Sequence, residues 1–415
     1  MSNLLSVAEA QARLISLLPF PKDKETIALD EADGRILAEA VAATHDLPPF
    51  ANSSVDGFAV RAGDTLQATS ATPVTLRVVA DIPAGREAGE IVLREGEAAR
   101  IMTGAPLPRG ADAVVPVEDT DQFTRQRGDD LPASVRVFRA VRAGESVRTR
   151  GMDIRGGEVV FAPGHRLRPA DIGMLAMLGI SQVTVYPRPH CAIFSNGDEL
   201  LPPSEPLRPG KIHESNSVML EALLRREGAR VTFLGILPDR FDAIRAAFER
   251  AVQEHVDLIL STAGVSVGVF DWVRKVLEEE GELEFWRVNV RPGKPLLVGW
   301  YRDVPFIGLP GNPVSAFVGF ELFVRPAVTR LAGASWKPRR VHRVRLDEPI
   351  ESDGRESYLR AVVTEQDGHY RARLSAHQGS GNLLSLVKAN ALLIIPAGVK
   401  SLPVEAEVEA WFLDE

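Results

Sequence analysis

A chain of 415 residues is too long for one hydrophobic core and implies several domains. Apolar residues at 45%, charged residues at 25% and a net charge of −8 describe an ordinary globular protein and argue against general nucleic-acid binding. No apolar run approaches the roughly 18–20 residues of a membrane span, and the single cysteine, Cys191, excludes a disulfide framework and cysteine-based zinc or iron–sulfur sites. MSNLLSVAEAQ lacks the basic region and long apolar core of a signal peptide, so a reducing cytoplasm is the expected location. Cys191, inside the apolar run PHCAIFS, reads as an inert core thiol.

Ser6 and Glu9 have the spacing of a capping box ahead of Val7, Ala10, Leu14, Ile15 and Leu18, which predicts an opening helix ended by Pro19 and Pro21. A second helix is expected over about 31–40. Residues 48–147 carry short β-branched runs (VTLRVV, IVLRE, ADAVVPVE, SVRVFR) broken by Gly and Pro, which predicts a β-rich module with RQRGDDLPA as a solvated hairpin tip. RPADIGMLAMLGI restores a helical period, with Gly179 as its cap. Residues 1–47 and 148–185 are therefore expected to pack together as a discontinuous helical linker domain, with 48–147 inserted between them.

Residues 186–332 alternate strand and helix: AIFSN, a helix from Ser215 to Glu227, ARVTFLGIL, a helix from Asp239 to His255, DLILST, a helix to Glu280, two short strands and a helix over 313–331. This spacing predicts a doubly wound parallel sheet with ligands at the strand C-termini. Residues 333–415 return to β patterning, with an Asp-Gly turn at 367–368. The fold class is thus α/β multidomain: a doubly wound parallel-sheet domain, a β-rich insertion, a helical linker and a small C-terminal β-barrel-like domain.

The strand ends carry the chemistry. DLILST empties into a Gly/Ser loop holding Ser261, Thr262, Gly264, Ser266 and Gly268, and Pro310-Gly311-Asn312-Pro313 opens a helix with Asn312 as N-cap. Helix starts present unpaired N–H groups to anions, and Arg287, Arg291 and Lys294 lie between the two loops. Neither loop is a Walker A or a G-x-G-x-x-G, and Gly264 and Gly268 read equally as turn glycines or ligand contacts. A cation about 4 Å from a phosphate contributes roughly 4 kcal/mol at an effective dielectric of about 20, so local cations outweigh the net negative charge. Glu199, Asp239 and Asp271 approach the same edge; carboxylates beside an anion site suit a hard divalent cation such as Mg²⁺. Asp239 and Asp271 also read as helix N-caps, and Asp56, in PPFANSSVDGFAV, as a turn residue.

Seven runs occur in order from residue 48 to 317: PPFANSSVDGFAV, RIMTGAPLPRGADAVVPVED, SNGDEL, GKIHESNS, STAGVSVGVFDW, RPGKP and GLPGNPVSAF. Together they resemble the molybdopterin molybdenumtransferase family, which includes the E domain of gephyrin. That resemblance implies a homodimer of elongated four-domain subunits, with molybdopterin bound by the doubly wound domain. It implies insertion of molybdenum from molybdate into adenylylated molybdopterin, with release of AMP and assistance from Mg²⁺. Asp56 and Thr103 match family positions in the β-rich module, Glu199, Asp239 and Asp271 an acidic cluster, and Lys294 the PGKP lysine. Arg287 and Arg291 stand where many members carry lysine, and Arg355 and Ser380 match weaker C-terminal motifs. STAGVSVG has Ala263 where relatives often have glycine. Transient contacts with a molybdopterin-adenylylating protein and with molybdoenzyme maturation factors are expected, and none with nucleic acid or membrane. A nucleotide pyrophosphatase and a non-catalytic scaffold are the alternative readings.

Overall fold

Burial runs without a break through His190–Asn196, with Cys191–Phe194 apolar throughout, and side chains of a strand alternate between two faces. Cys191 and Ile193 join one core, Ala192 and Phe194 another, so the strand must be covered on both sides. The computed structural model describes residues 4–123, 130–263 and 272–414. The chain divides into two compact units, one of residues 1–39, 163–168 and 183–415, the other of residues 40–162 and 169–182.

In the first unit six strands form a sheet: β1 (His190–Asn196), β2 (Arg230–Leu237), β3 (Leu258–Thr262), β4 (Glu282–Trp286), β5 (Leu297–Tyr301) and β6 (Val304–Leu309). Their order is β2-β1-β3-β6-β5-β4. The first four in this order are parallel, whereas β5 pairs antiparallel with both β6 and the edge strand β4. The parallel sheet expected from the sequence thus ends in an antiparallel edge, because the Arg302-Asp303 turn is too short for a crossover. Helices Asn216–Arg226 and Pro313–Gly319 cover one face, and helices Phe241–Gln253 and Trp272–Glu280 the other. The helical stretch from Pro313 continues through a π-turn at Phe320–Val324 to Leu331.

The opening helix, Val7–Leu17, carries the expected capping box. Its buried stripe of Val7, Ala10 and Leu14 joins the α/β core beside Leu322 and Val328. It therefore does not supply the helical linker expected of residues 1–47. The helix expected over 31–40 is also absent. Residues 35–38 are all buried in succession, and Ile36 and Leu37 bridge to Arg166 and Val185. Consecutive burial is incompatible with a one-sided helical stripe.

A closed five-stranded barrel follows, of β7 (His342–Leu346), β8 (Glu356–Gln366), β9 (His369–Leu374), β10 (Ala391–Ile395) and β11 (Glu407–Phe412), in the order β8-β9-β7-β11-β10 and back to β8. The pair Val290–Arg291 adds to β8 in parallel, which ties the segment after β4 to the barrel. Asp367 and Gly368 both have positive φ, as the expected Asp-Gly hairpin turn requires.

The second unit holds a five-stranded sheet in the order Ala113–Pro116, Gly57–Val60, Glu97–Ile101, Val74–Ile82, Ser134–Val137, and the helix Pro169–Met177, followed by Gly179 at φ 71°. A Cβ on Gly57 would lie 2.0 Å from the carbonyl oxygen of Val115. Gly57→Ala should therefore separate two buried strands and destabilise this unit by about 3 kcal/mol, by analogy with other overpacked cores. Urea unfolding, with limited proteolysis to assign the loss to this unit, measures it. A stability within about 0.5 kcal/mol of the parent would contradict the close approach.

Candidate functional site

Parallel strands β1, β2, β3 and β6 all end at one edge of the sheet, at Asn196, Leu237, Thr262 and Leu309. A cavity of about 940 Å³ opens there, with the barrel supplying its far wall. Glu199, Thr262, Arg291, Lys294, Pro310, Gly311, Asn312, Arg355 and Ser380 of the sequence-derived set line it. Gly264, Ser266, Gly268 and Asp271 lie outside the described residues. Ser261 is fully buried, and its hydroxyl lacks a partner among the described residues.

The basic wall comes from the RPGKP run. Arg291 is fixed by the β8 pairing, Gly293 takes φ 107°, and the carbonyl of Lys294 accepts a hydrogen bond from Val288 N at 3.0 Å. Lys294 therefore sits on a pinned turn. Among the described residues neither Arg291 nor Lys294 has a carboxylate at ion-pair distance. Arg355 is held from two sides: its Nε donates to Asp353 at 3.0 Å and its Nη1 to the carbonyl of Val290 at 3.0 Å. That hydrogen bond to Arg355 holds the Asp353 carboxyl below its ordinary pKa, with the charge of Arg355 adding to it. Arg287 is placed differently. Its backbone has φ 90°, and its guanidinium stacks 3.9 Å from the ring centroid of Trp286, whose ring also carries Arg274 at 4.1 Å. Arg287 does not line the cavity.

The Pro-Gly-Asn-Pro turn starts its helix with Pro313 at the first position, as expected. Asn312 occupies the N-cap site but does not cap with its side chain; its Nδ2 donates to Ser380 Oγ at 2.9 Å. One N–H of the helix start, that of Val314, is taken by the Ser380 carbonyl at 3.1 Å. The loop around Ser380 and the helix start are thus locked together. Ala263 has φ 73°, and a Cβ on Gly311 would stand 3.3 Å from the Ala263 Cβ. Glycine is the residue that fits such a turn without strain, so alanine here costs some stability.

Acidic residues divide into two groups. Glu199 is exposed at the cavity, folded back over Gly197. Asp239 accepts from Asn196 Nδ2 at 2.8 Å and does not line the cavity. The N-cap reading of Asp239 fails, because the helix begins at Phe241 with Arg240 in the cap position. Among the described residues no group of three His, Cys, Asp or Glu side chains could hold a metal ion. In the second unit, Asp56 and Thr103 meet: Asp56 Oδ1 accepts from both the N–H and the hydroxyl of Thr103, each at 2.7 Å. Both residues are exposed, and the pair ties the Asp56 turn to the loop that carries Gly104.

Two charged residues of the cavity wall were missed by sequence reasoning. Glu214, 3% exposed, accepts from Ser195 Oγ at 2.9 Å, Ser217 N at 2.8 Å and Ser217 Oγ at 2.5 Å. Ser195 also meets Thr262 Oγ1 at 2.9 Å, so a hydrogen-bonded chain joins the ends of β1 and β3 to the helix start at Asn216. Arg360, in β8, lies wholly buried in the opposite wall. Burial, and then the charge of Arg291, bring its pKa down to about 10. Their signals were present: Glu214 falls in GKIHESNS, and Arg360 interrupts the apolar run YLRAVV.

Sequence models of the MoeA N-terminal region (domain I and II), a probable molybdopterin binding domain and the MoeA C-terminal region (domain IV) match residues 5–179, 192–330 and 343–413. A molybdopterin molybdenumtransferase of Nostoc sp. is 37% identical over 406 residues, 96% of this chain and 91% of that one. The chain belongs to the molybdopterin molybdenumtransferase family. A second molybdenumtransferase, from Mycobacterium tuberculosis, is 38% identical over 94% of this chain and 95% of its own. The crystal structure of a molybdopterin biosynthesis MoeA protein from Pyrococcus horikoshii matches 99% of this chain and 100% of its own, at 32% identity and a TM-score of 0.82. The cavity of this molybdenumtransferase-family chain is thus built from two of the three matched regions, the molybdopterin-binding-type sheet and the C-terminal barrel. No described helix is long and apolar enough to cross a membrane.

Proposed function

We propose that the chain inserts molybdenum from molybdate into adenylylated molybdopterin, releasing AMP to form molybdenum cofactor. The observation that carries this reading is the 940 Å³ cavity at the strand ends, lined by Arg291, Lys294, Arg355 and Arg360. A pterin bearing a pyrophosphate-linked nucleotide brings several oxyanions, and molybdate brings another. Cations fixed on pinned turns can bind and align these groups before reaction, which is where positioning lowers a barrier.

Soft metal ligands are not needed from the protein, since the substrate's dithiolene sulfurs take the metal. Cys191 fits that division of labour: it is fully buried, and burial pushes its thiol pKa up, so it stays an unreactive core group. Assistance from Mg²⁺ is part of the same proposal. Glu199 and Asp239 offer hard oxygens, and Asn196, which donates to Asp239, has a buried Oδ1 without a partner among the described residues. When bound, Mg²⁺ would supply positive charge to the phosphoryl oxygens. The protein's own part is to grip the oxyanions with Arg291, Lys294 and Arg355, and to set the wall with the Glu214 chain. Asp56 and Thr103 are proposed to act on the substrate held by the partner subunit of a homodimer, and Arg287 and Asp271 to belong to the machinery of the cavity's own subunit. A cytoplasmic homodimer, receiving its substrate from a molybdopterin-adenylylating protein, completes the reading.

The test is AMP release from adenylylated molybdopterin with Mg²⁺, with and without micromolar molybdate, scoring molybdenum in the pterin product. Molybdate-dependent release with metal incorporated is expected. Release indifferent to molybdate would make the chain a pyrophosphatase instead, and no release a binding protein. Sedimentation at micromolar protein tests the dimer.

A further inference from the structure

The chain is acidic overall, yet from Arg325 to Leu346 it carries no aspartate or glutamate, and SWKPRRVHRVRL, residues 335–346, holds five lysines and arginines. The fold treats these cations unequally. Arg339 is committed to its own chain: its Nε donates to Glu321 at 2.9 Å and its Nη1 to the Phe412 carbonyl at 3.1 Å. Arg325 meets Glu321 and Glu227 at 3.2 and 2.9 Å. Arg343 and Arg345 stand beside Glu407, at 4.0 and 3.5 Å. Lys337 and Arg340 are exposed, and among the described residues neither has a carboxylate at ion-pair distance. Unbalanced positive charge is therefore concentrated at 337–340. A pocket of about 180 Å³ opens there, within the first unit, with Arg325, Lys337, Arg339 and Arg340 around Pro338 and Phe412. Its apolar part is braced, since the Phe412 ring packs against His342 and Tyr370 at centroid distances of 4.8 and 5.3 Å. A pre-formed apolar floor thus lies inside a cationic rim.

We propose that this pocket docks an acidic segment of a partner protein, with an apolar side chain on Pro338 and Phe412 and flanking carboxylates on Lys337 and Arg340. Among the described residues it shares no lining residue with the strand-end cavity, and the inference does not rest on the reaction proposed above. Two unpaired cations are too few for nucleic acid or a lipid surface, where affinity is built from many phosphate or headgroup contacts. They suit a short acidic motif, and the apolar floor adds a contact that free anions do not make. The net negative charge of the rest of the chain disfavours the same segment elsewhere, so attraction is focused on this one surface.

The experiment is fluorescence anisotropy of the full chain with a labelled, end-blocked peptide of five residues, a phenylalanine between two pairs of glutamates, at low ionic strength. Saturable binding is expected, and added salt should weaken it. The double variant Lys337→Glu, Arg340→Glu should bind the peptide about tenfold or more weakly, and alanine in place of the peptide's phenylalanine should cost a similar factor. Both substituted residues are exposed, so the unfolding temperature should match that of the parent. If the double variant does not fold, Lys337→Gln with Arg340→Gln replaces it under the same criterion. No saturation up to about 1 mM peptide would overturn the proposal, and so would an affinity that charge reversal leaves unchanged. Equal affinity for the alanine peptide would reduce the patch to charge attraction without a pocket. Tighter binding of a labelled DNA duplex than of the peptide would assign the surface to nucleic acid instead. A change in sedimentation on charge reversal would make it a contact between copies of this chain, and either result would also overturn the proposal.

Discussion

Lys294→Ala is expected to lower kcat/KM for molybdate-dependent AMP release by about 10²-fold or more. Hydrogen bonds to charged groups contribute about 1.5–3 kcal/mol each, and removing one preorganised donor to a developing anion typically costs about 10²–10³ in rate. Lys294 meets the conditions for the upper part of that range. It lies on a turn held by the Val288–Lys294 backbone hydrogen bond, it lines the cavity, and among the described residues no carboxylate shares its charge. Its side chain is only half-buried, so stability should change by less than about 0.5 kcal/mol, and the loss would be one of binding or catalysis. Arg291→Ala should cost as much. The double variant should lose less than the product of the two losses, because both cations face one substrate. Lys294→Arg should recover part of the rate, since charge is kept while a point charge becomes a planar fork. Initial rates with adenylylated molybdopterin decide it: a Lys294→Ala enzyme turning over at the parent rate would remove the RPGKP turn from the site.

The sequence made those cations legible because they lie beside Gly and Pro, in a run whose turn chemistry is local. The same holds for the Ser6–Glu9 capping box, for the β–α alternation after residue 186, and for Pro313 at a helix start: each is decided by residues a few positions apart. What failed depended on distant partners. ILAEA at 36–40 has the composition of a helix, yet Ile36 and Leu37 pair with backbone more than a hundred residues away. Leu297–Tyr301, which pairs antiparallel with Val304–Leu309, looks in composition like any buried parallel strand; only the two-residue turn between the two distinguishes it. Asp239 lay two residues outside the helix it was expected to cap, an ordinary error for a boundary read from sequence. Glu214 and Arg360 were overlooked for a physical reason, since charged residues are almost always solvated and only the fold shows which are not.

Glu214→Ala should be the most damaging single change in the cavity wall, destabilising the chain by about 3–5 kcal/mol. The carboxylate is the shared acceptor for three donors, Ser195 Oγ, Ser217 N and Ser217 Oγ, all of them buried residues. Truncation orphans these donors, and each buried unsatisfied group costs about 1–3 kcal/mol. Water or rotation of the two hydroxyls recovers part of that, which sets the estimate below the full sum. Glu214→Gln should cost much less, about 1 kcal/mol. One carboxamide oxygen can still accept from Ser195 and Ser217 N, while the amide nitrogen donates to a Ser217 hydroxyl turned to accept. The pair separates a need for shape and acceptors from a need for charge. Urea unfolding gives the stabilities, and turnover at a temperature where both variants are folded gives the functional consequence. Since the Glu214 chain reaches Thr262 through Ser195, the alanine variant should also raise KM by loosening the edge of β3. Equal stabilities for the two variants would show that the hydrogen-bonded chain does not hold the wall, and an inactive but fully stable Glu214→Gln enzyme would make the carboxylate a reacting group.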